Sequence, residues 1–260
     1  MLASRLLALL PKDARDRRYI EPFLGAASLF FALRPRRAVL SDLNEHLIKC
    51  YRFIQNDHER VAAQLRQLAA ANSKDHYYAI RNTYNRAGSS VSQAARFIYL
   101  NQTCFNGVFR VNRDGAFNVP FGDKANPLFP TSAELARLSA ALKNARLNAC
   151  DYETTLKTVR KGDLVYLDPP YPPLNGTSYF THYTPERFSL VEQERIAGVF
   201  ESLTRRGCLV MMTNADTPLV RRLYRGNAMK SIRVPRYVTC KNVRHSVGEL
   251  VIMNYQPPTK

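Results

Sequence analysis

The sequence predicts an α/β fold: an open, largely parallel sheet flanked by helices and broken by one long insertion. Three observations carry this. Short apolar runs rich in β-branched and aromatic residues alternate with segments whose apolar residues recur at helical spacing. The alternation stops over roughly residues 55–130 and then resumes. Three of the strand-like runs end at an acid, Asp42, Asp151 and Asp168, the end of the strand at which open α/β sheets collect ligands.

Taken in order, MLASRLLALLP places Leu2, Leu6, Leu9 and Leu10 at helical spacing, interrupted by Arg5 and closed by Pro11. It lacks a small-residue cleavage site and reads as an amphipathic packing helix, not a signal peptide. Arg18–Phe23 is strand-like, the next residues form a turn, Ala27–Leu33 is helical and Ala38–Ser41 is a second strand, so the three make a parallel βαβ unit. From Glu45 to Ala71 the spacing of Leu47, Ile48, Tyr51, Ile54, Val61, Leu65 and Leu68 predicts a helix with a break near Asn56. Beyond the insertion come a helix near Ser132–Leu142, a strand at Ala145–Cys150, a further helix and the strand Leu164–Leu167. A helix at Pro185–Arg205, a strand at Cys208–Thr213, a helix at Thr217–Tyr224 and a hairpin of Ile232–Val238 with Gly248–Met253 complete the chain. There are no internal repeats.

Composition narrows the partners. The 260 residues suffice for one catalytic domain with an insertion. Lys and Arg number 38 against 21 Asp and Glu, a net charge of +17, which favours a polyanion: nucleic acid first, an anionic membrane surface second, with a merely basic solvated surface as the plain alternative. Five scattered cysteines without a CxxC pair point to reduced cytosolic thiols and a cytoplasmic protein, and five unclustered histidines give no support for a metal. No segment is long enough to span a bilayer, and the expected state is a monomer or weak dimer.

The most informative stretch is DLVYLDPPYPPL (163–174). Proline cannot donate to a central ladder, so the strand must stop at Asp168, which then points into a crevice from a stiff backbone. The loop EPFLGAAS (21–28) has one glycine, Gly25, and not the GxGxxG that brings a backbone against pyrophosphate. Asp42 follows Gly25 at close to the ~20-residue spacing at which an acid binds ribose hydroxyls. A cationic nucleoside without phosphates suits such acids, and S-adenosylmethionine is one; singly, each acid reads as a helix cap or a solvated turn residue. Methyl transfer to an aromatic amine such as adenine N6 needs two acceptors on the two N–H bonds, here the Asp168 carboxylate and a main-chain carbonyl, that of Pro169. Preorganised dipoles of this kind usually dominate catalysis. Tyr171 offers a face for a flipped base, a stack worth about 1–3 kcal/mol. The bland reading is a proline-rich turn.

These residues, with NQTCFNGVFRVNRDGAFNVPFG (101–122), SDLN (41–44), FTHYTPERF (180–188), TNAD (213–216) and GELVIMNY (248–255), resemble the Dam-type DNA adenine-N6 methyltransferases from about Arg18 to Tyr255. The resemblance implies a Rossmann-like class I methyltransferase sheet, formed by residues 1–54 and 131–260. It also implies an inserted, mainly helical DNA target-recognition domain at 55–130 that carries a β-hairpin. It implies S-adenosylmethionine as cofactor, no metal, and double-stranded DNA as partner. Phe23 and Gly25 would line the cofactor loop, Asp42 would hold the ribose, and Asp151 with Tyr152 would meet the cofactor adenine. Asp168 would also belong to the cofactor site and would form the catalytic set with Pro169, Pro170 and Tyr171. Asn106 would touch the DNA backbone, Val108 and Arg110 would approach the target bases, and Asn118 would lie with them. Guanine recognition by Arg in the major groove fits this role, whereas a plain phosphate contact is the alternative for Arg110.

One departure stands out. The family begins with a WAGGK-like element, and this sequence opens at MLASRLLALLP. A truncated or misassigned start and weak cofactor binding are the two readings of that difference. A DNA-binding homologue with little or no catalysis, or an amino-methyltransferase acting on cytosine N4, RNA or a protein amide, are the competing functions.

Overall fold

The computed structural model describes residues 2–171, 190–235 and 246–258. In chain order the elements are α1 (Leu2–Leu7), β1 (Arg18–Glu21), α2 (Ser28–Leu33), β2 (Arg37–Asp42), α3 (Glu45–Ala69), α4 (Lys74–Arg86), α5 (Val91–Thr103), α6 (Ser132–Leu142), β3 (Ala145–Ala149), α7 (Tyr152–Lys157), β4 (Leu164–Leu167), α8 (Leu190–Arg205), β5 (Leu209–Ala215), α9 (Pro218–Leu223), β6 (Ala228–Pro235) and β7 (Ser246–Met253). By compactness they fall into two units: residues 1–43 with 150–260, and residues 44–149. The expected beginning of the helix before Leu190, the end of the strand after Pro235, and FTHYTPERF lie outside the described residues.

In the first unit the strands run in the order β2-β1-β4-β5-β7-β6. The first four are parallel neighbours, as Ile20 opposite Val39, Ile20 opposite Val165 and Leu167 opposite Met212 show. The terminal hairpin is antiparallel, with Ile232 opposite Glu249, and β7 rather than β6 adjoins β5. Period-two alternation divides the strands between two faces. One face buries Ile20, Val165, Leu167, Val210 and Met212 against Ile196, Phe200 and Leu203 of α8 and Val220 of α9. The other carries Tyr19, Tyr166 and Met211, all buried, and Tyr19 lies 6.3 Å from the Phe30 ring of α2. The helices start where the sequence supplies caps. Thr217 accepts from the Val220 amide with Pro218 in the first turn of α9, and Gly207 in the left-handed region turns the chain from α8 toward β5.

The second unit is mainly helical. Asn44, Ser73 and Ser90 cap α3, α4 and α5, and Thr131 with Glu134 forms a reciprocal capping box on α6. The break expected near Asn56 sits at Asp57, whose φ of −154° and ψ of 49° interrupt α3. The segment 104–121 folds back on itself through two isolated antiparallel bridges, Cys104 with Phe121 and Val111 with Phe117, in place of a continuous ladder. Residues 101–103, which open the stretch NQTCFNGVFRVNRDGAFNVPFG, are the last residues of α5. Glycine at 122 has a local reason: a Cβ there would lie 2.5 Å from the Cys104 carbonyl oxygen, so the backbone would have to shift.

Candidate functional site

In the first unit the predicted residues converge at the carboxyl ends of the strands. The chain leaves β1 through Pro22–Ala27, where the Leu24 amide bonds the Ser41 carbonyl at 2.9 Å and the Gly25 amide bonds Asp42 Oδ2 at 2.9 Å. Gly25 has φ +46°, so its freedom is conformational; a Cβ there would meet nothing within 4 Å. The Cys150 amide bonds the Asp42 carbonyl at 3.2 Å, bringing Tyr152 beside the same loop. Phe23 and Tyr152 stack, with centroids 5.2 Å apart and an interplanar angle of 30°. The Tyr152 hydroxyl is buried and, among the described residues, has no hydrogen-bond partner. Asp151 is exposed and its carboxylate caps α7, accepting from the Thr154 amide at 2.8 Å and the Thr154 hydroxyl at 2.9 Å. Those bonds, the amide first, hold its pKa below the usual carboxylate value.

Asp168 follows β4 directly, and Pro169 and Pro170 end the ladder there by removing two donors. Its Oδ1 accepts from the Thr213 hydroxyl at 2.6 Å and from the Tyr171 hydroxyl at 3.2 Å. The Pro170 carbonyl is approached by the Gln193 side-chain amide at 3.4 Å, and Gln193 Oε1 accepts from Asn214 at 2.9 Å. Glu21, the last residue of β1, is 2% exposed and accepts from the Tyr19 hydroxyl at 2.9 Å. Burial pushes the Glu21 carboxyl well above its ordinary value; the Tyr19 bond lowers it, and the nearby negative charges of Asp168 and Asp42 raise it further. Glu21, Thr213, Asn214 and Gln193 carry no role in the sequence reading, although EPFLGAAS and TNAD both drew attention. For Gln193 a signal exists. It occupies the stripe continued by Ile196, Phe200 and Leu203 on α8, where an apolar residue is the norm, and it is fully buried.

In the second unit the segment 104–121 rests on α4. The Tyr77 hydroxyl and the Arg81 guanidinium bond the Val119 carbonyl at 2.8 and 3.1 Å, and Asn85 pairs with both backbone groups of Phe117, at 2.9 and 3.0 Å. Phe109 packs between the rings of His46, Phe97 and Phe117. Asn106 stands in the left-handed region next to Gly107, and Phe105 before it is 47% exposed. Arg110 donates from Nε to Asn118 Oδ1 at 2.8 Å, and the Asn118 amide returns to the Arg110 carbonyl at 3.1 Å. The structure therefore pairs two of the residues expected to contact DNA, Arg110 and Asn118, and leaves Asn106 and the half-buried Val108 at the turn nearer α5. Among the described residues no group of three or more His, Cys, Asp or Glu could hold a metal ion, and no helix is long and apolar enough to cross a membrane.

Residues 1–238 match the family model described as D12 class N6 adenine-specific DNA methyltransferase. The chain is 35% identical over 274 residues to the Type II methyltransferase M.MjaIII of Methanocaldococcus jannaschii, covering 98% of this chain and 95% of that protein. It is 37% identical over 245 residues to the Type II methyltransferase M1.LlaDCHI of Lactococcus lactis, covering 91% and 86%. The DNA adenine methylase of Salmonella typhi is 34% identical over 241 residues, covering 92% and 86%.

Proposed function

Since the chain belongs to the D12 class of N6 adenine-specific DNA methyltransferases and its reaction is methylation of adenine N6 in DNA, we propose that it takes the methyl group from S-adenosylmethionine and acts on an adenine swung out of double-stranded DNA. The observation that carries this reading is the Asp168 carboxylate, fixed at the end of β4 by a 2.6 Å bond and followed by two prolines and a tyrosine.

The residues around the β1–α2 loop fit the donor. Phe23 and Tyr152 provide aromatic surface for an adenine, and the buried Tyr152 hydroxyl has no hydrogen-bond partner among the described residues. Asp42 offers a carboxylate for ribose hydroxyls, and the loop has no phosphate cradle to mismatch a phosphate-free nucleoside. When bound, the donor supplies a methyl group on a sulfonium, so no covalent nucleophile is needed from the protein. The protein's share is to position: Asp168 accepts one N6–H, the Pro169 carbonyl accepts the other, and the nitrogen lone pair is thereby turned out of the ring plane. The Asp168 carboxylate would take the proton that N6 sheds as the N–C bond forms and the bond from the methyl carbon to sulfur breaks, the sulfur keeping that electron pair as a neutral thioether. Tyr171 turns its ring to the face of the base.

The segment 55–130 reads the target, with Asn106 on the backbone, and Val108, Arg110 and Asn118 toward the bases. The protein acts in the cytoplasm as a monomer or weak dimer. Labelled methyl transfer to duplex DNA followed by nucleoside analysis tests the reading. Wild type yields N6-methyladenine; Asp168→Ala loses at least about a thousandfold in turnover, since it removes a preorganised acceptor, while its DNA dissociation constant stays within about threefold. Retained turnover in that variant removes Asp168 from the mechanism.

A further inference from the structure

Asp168 lies one step past Leu167, whose partner on β5 is Met212, so the register brings Thr213 opposite it on the same face. The pairing is thus fixed by two central parallel strands and not by the loop that follows. Thr213 is fully buried, and its hydroxyl has one proton, which goes to Asp168 Oδ1 at 2.6 Å. The contact between Tyr166 and Thr213, at 3.0 Å, can then run only one way: the phenol donates and the threonine oxygen accepts. Tyr166 is itself buried on the same face, two residues before Asp168. Burial first, and the neighbouring Asp168 charge second, push its pKa well up, so the phenol keeps its proton.

We infer that Thr213 is a positioning residue for methyl transfer: with Tyr166 behind it, it holds Asp168 Oδ1 in one rotamer so that the carboxylate meets the N6 amine at a set angle. This deepens the proposed role of Asp168 and rests on it. Tyr171 also donates to Oδ1, at the longer distance of 3.2 Å and from an exposed contact. Thr213 is the closer donor and is fully buried. A carboxylate free to rotate would leave a buried hydroxyl unsatisfied, so the rotamer is held by the cost of breaking the chain as well as by the bond itself.

Wild type, Thr213→Val, Thr213→Ser and Tyr166→Phe are compared for N6-methyladenine formation, melting temperature and the pH profile of kcat. Failure of wild type to form N6-methyladenine overturns the functional reading itself. Given an active wild type, Thr213→Val is expected to lower kcat about 10- to 100-fold, the scale of a slightly misplaced reacting group, with the KM for DNA within about threefold. Thr213→Ser restores most of the loss. Removing a donor to the charged form moves the acidic limb of the profile to higher pH in Thr213→Val and not in Thr213→Ser. A Thr213→Val enzyme with wild-type kcat and profile overturns the inference, as does a Thr213→Ser enzyme equally impaired. If Thr213→Val fails to fold, Tyr166→Phe, which conserves shape, carries the test: a smaller fall in kcat with the same direction of profile shift is expected, and an unchanged enzyme overturns it.

Discussion

Glu21 is an acid placed where water does not reach, and among the described residues it accepts a hydrogen bond from the phenol of Tyr19 on its own strand. Period-two alternation explains the pairing, because residues 19 and 21 share a face of β1. Burial raises the folded-state pKa, so the unfolded chain gives up this proton at lower pH than the folded chain does. The stability linked to the protonated form is complete below the ordinary carboxylate range and is lost as pH climbs from there toward the raised native value. Glu21→Gln keeps the shape and an acceptor for Tyr19 but removes the titration. Its melting temperature relative to wild type is expected to rise as pH climbs above the ordinary carboxylate range, read by thermal denaturation in matched buffers; a difference that does not change with pH would falsify the assignment of a buried protonated acid. The sequence shows Glu21 as an ordinary charged residue after a strand, because burial belongs to the neighbours and not to the residue. Asp151 is the opposite case. It is legible as either a ligand residue or a cap, and its carboxylate is committed to the amide and hydroxyl of Thr154.

At the scale of the element, the 104–121 segment shows what pattern reading gains and loses. Gly and Asn mark its turns, yet no alternation marks its strands, because its partners are α4 side chains that satisfy the backbone in place of a ladder: Asn85 on Phe117, Tyr77 and Arg81 on Val119. Gly122 closes it, donating to the Thr103 carbonyl at 2.9 Å while the Phe105 amide bonds the Pro120 carbonyl at 2.9 Å. In Gly122→Ala the Cβ meets backbone atoms of Cys104 and Phe105, which have no rotamer to yield. A loss of about 1–3 kcal/mol by urea denaturation is expected, the usual range for overpacking, together with weaker DNA binding. A variant equal to wild type in both would show that the backbone yields there at no cost. By contrast α3 is legible in its apolar spacing and in the break expected near Asn56, which the structure places at Asp57, because both are local signals.

For the whole molecule the dominant quantity is the net charge of +17. A protein of this charge that binds DNA releases condensed counterions, so affinity for duplex DNA should fall linearly in log–log against salt. The expected slope is about −0.9 per phosphate contacted. Fluorescence anisotropy between 50 and 200 mM salt measures it, and an affinity indifferent to salt in that range would exclude a phosphate-dominated interface. Arg110→Ala separates the two readings of that residue. Guanine readout predicts relaxed sequence preference with a nearly unchanged slope, and a phosphate contact predicts weaker binding to all sequences with a slope about one unit of contact shallower.

The sequence by itself determined the order of strands and helices, the stop after Leu167, the acids at strand ends and the family, because each is written in local chemistry: period, proline, cap and motif. Only the tertiary structure decided that Glu21 is buried and which hydroxyl reaches Asp168. Those depend on register between strands far apart in the chain, where a shift of one residue would send Thr213 to the opposite face of the sheet.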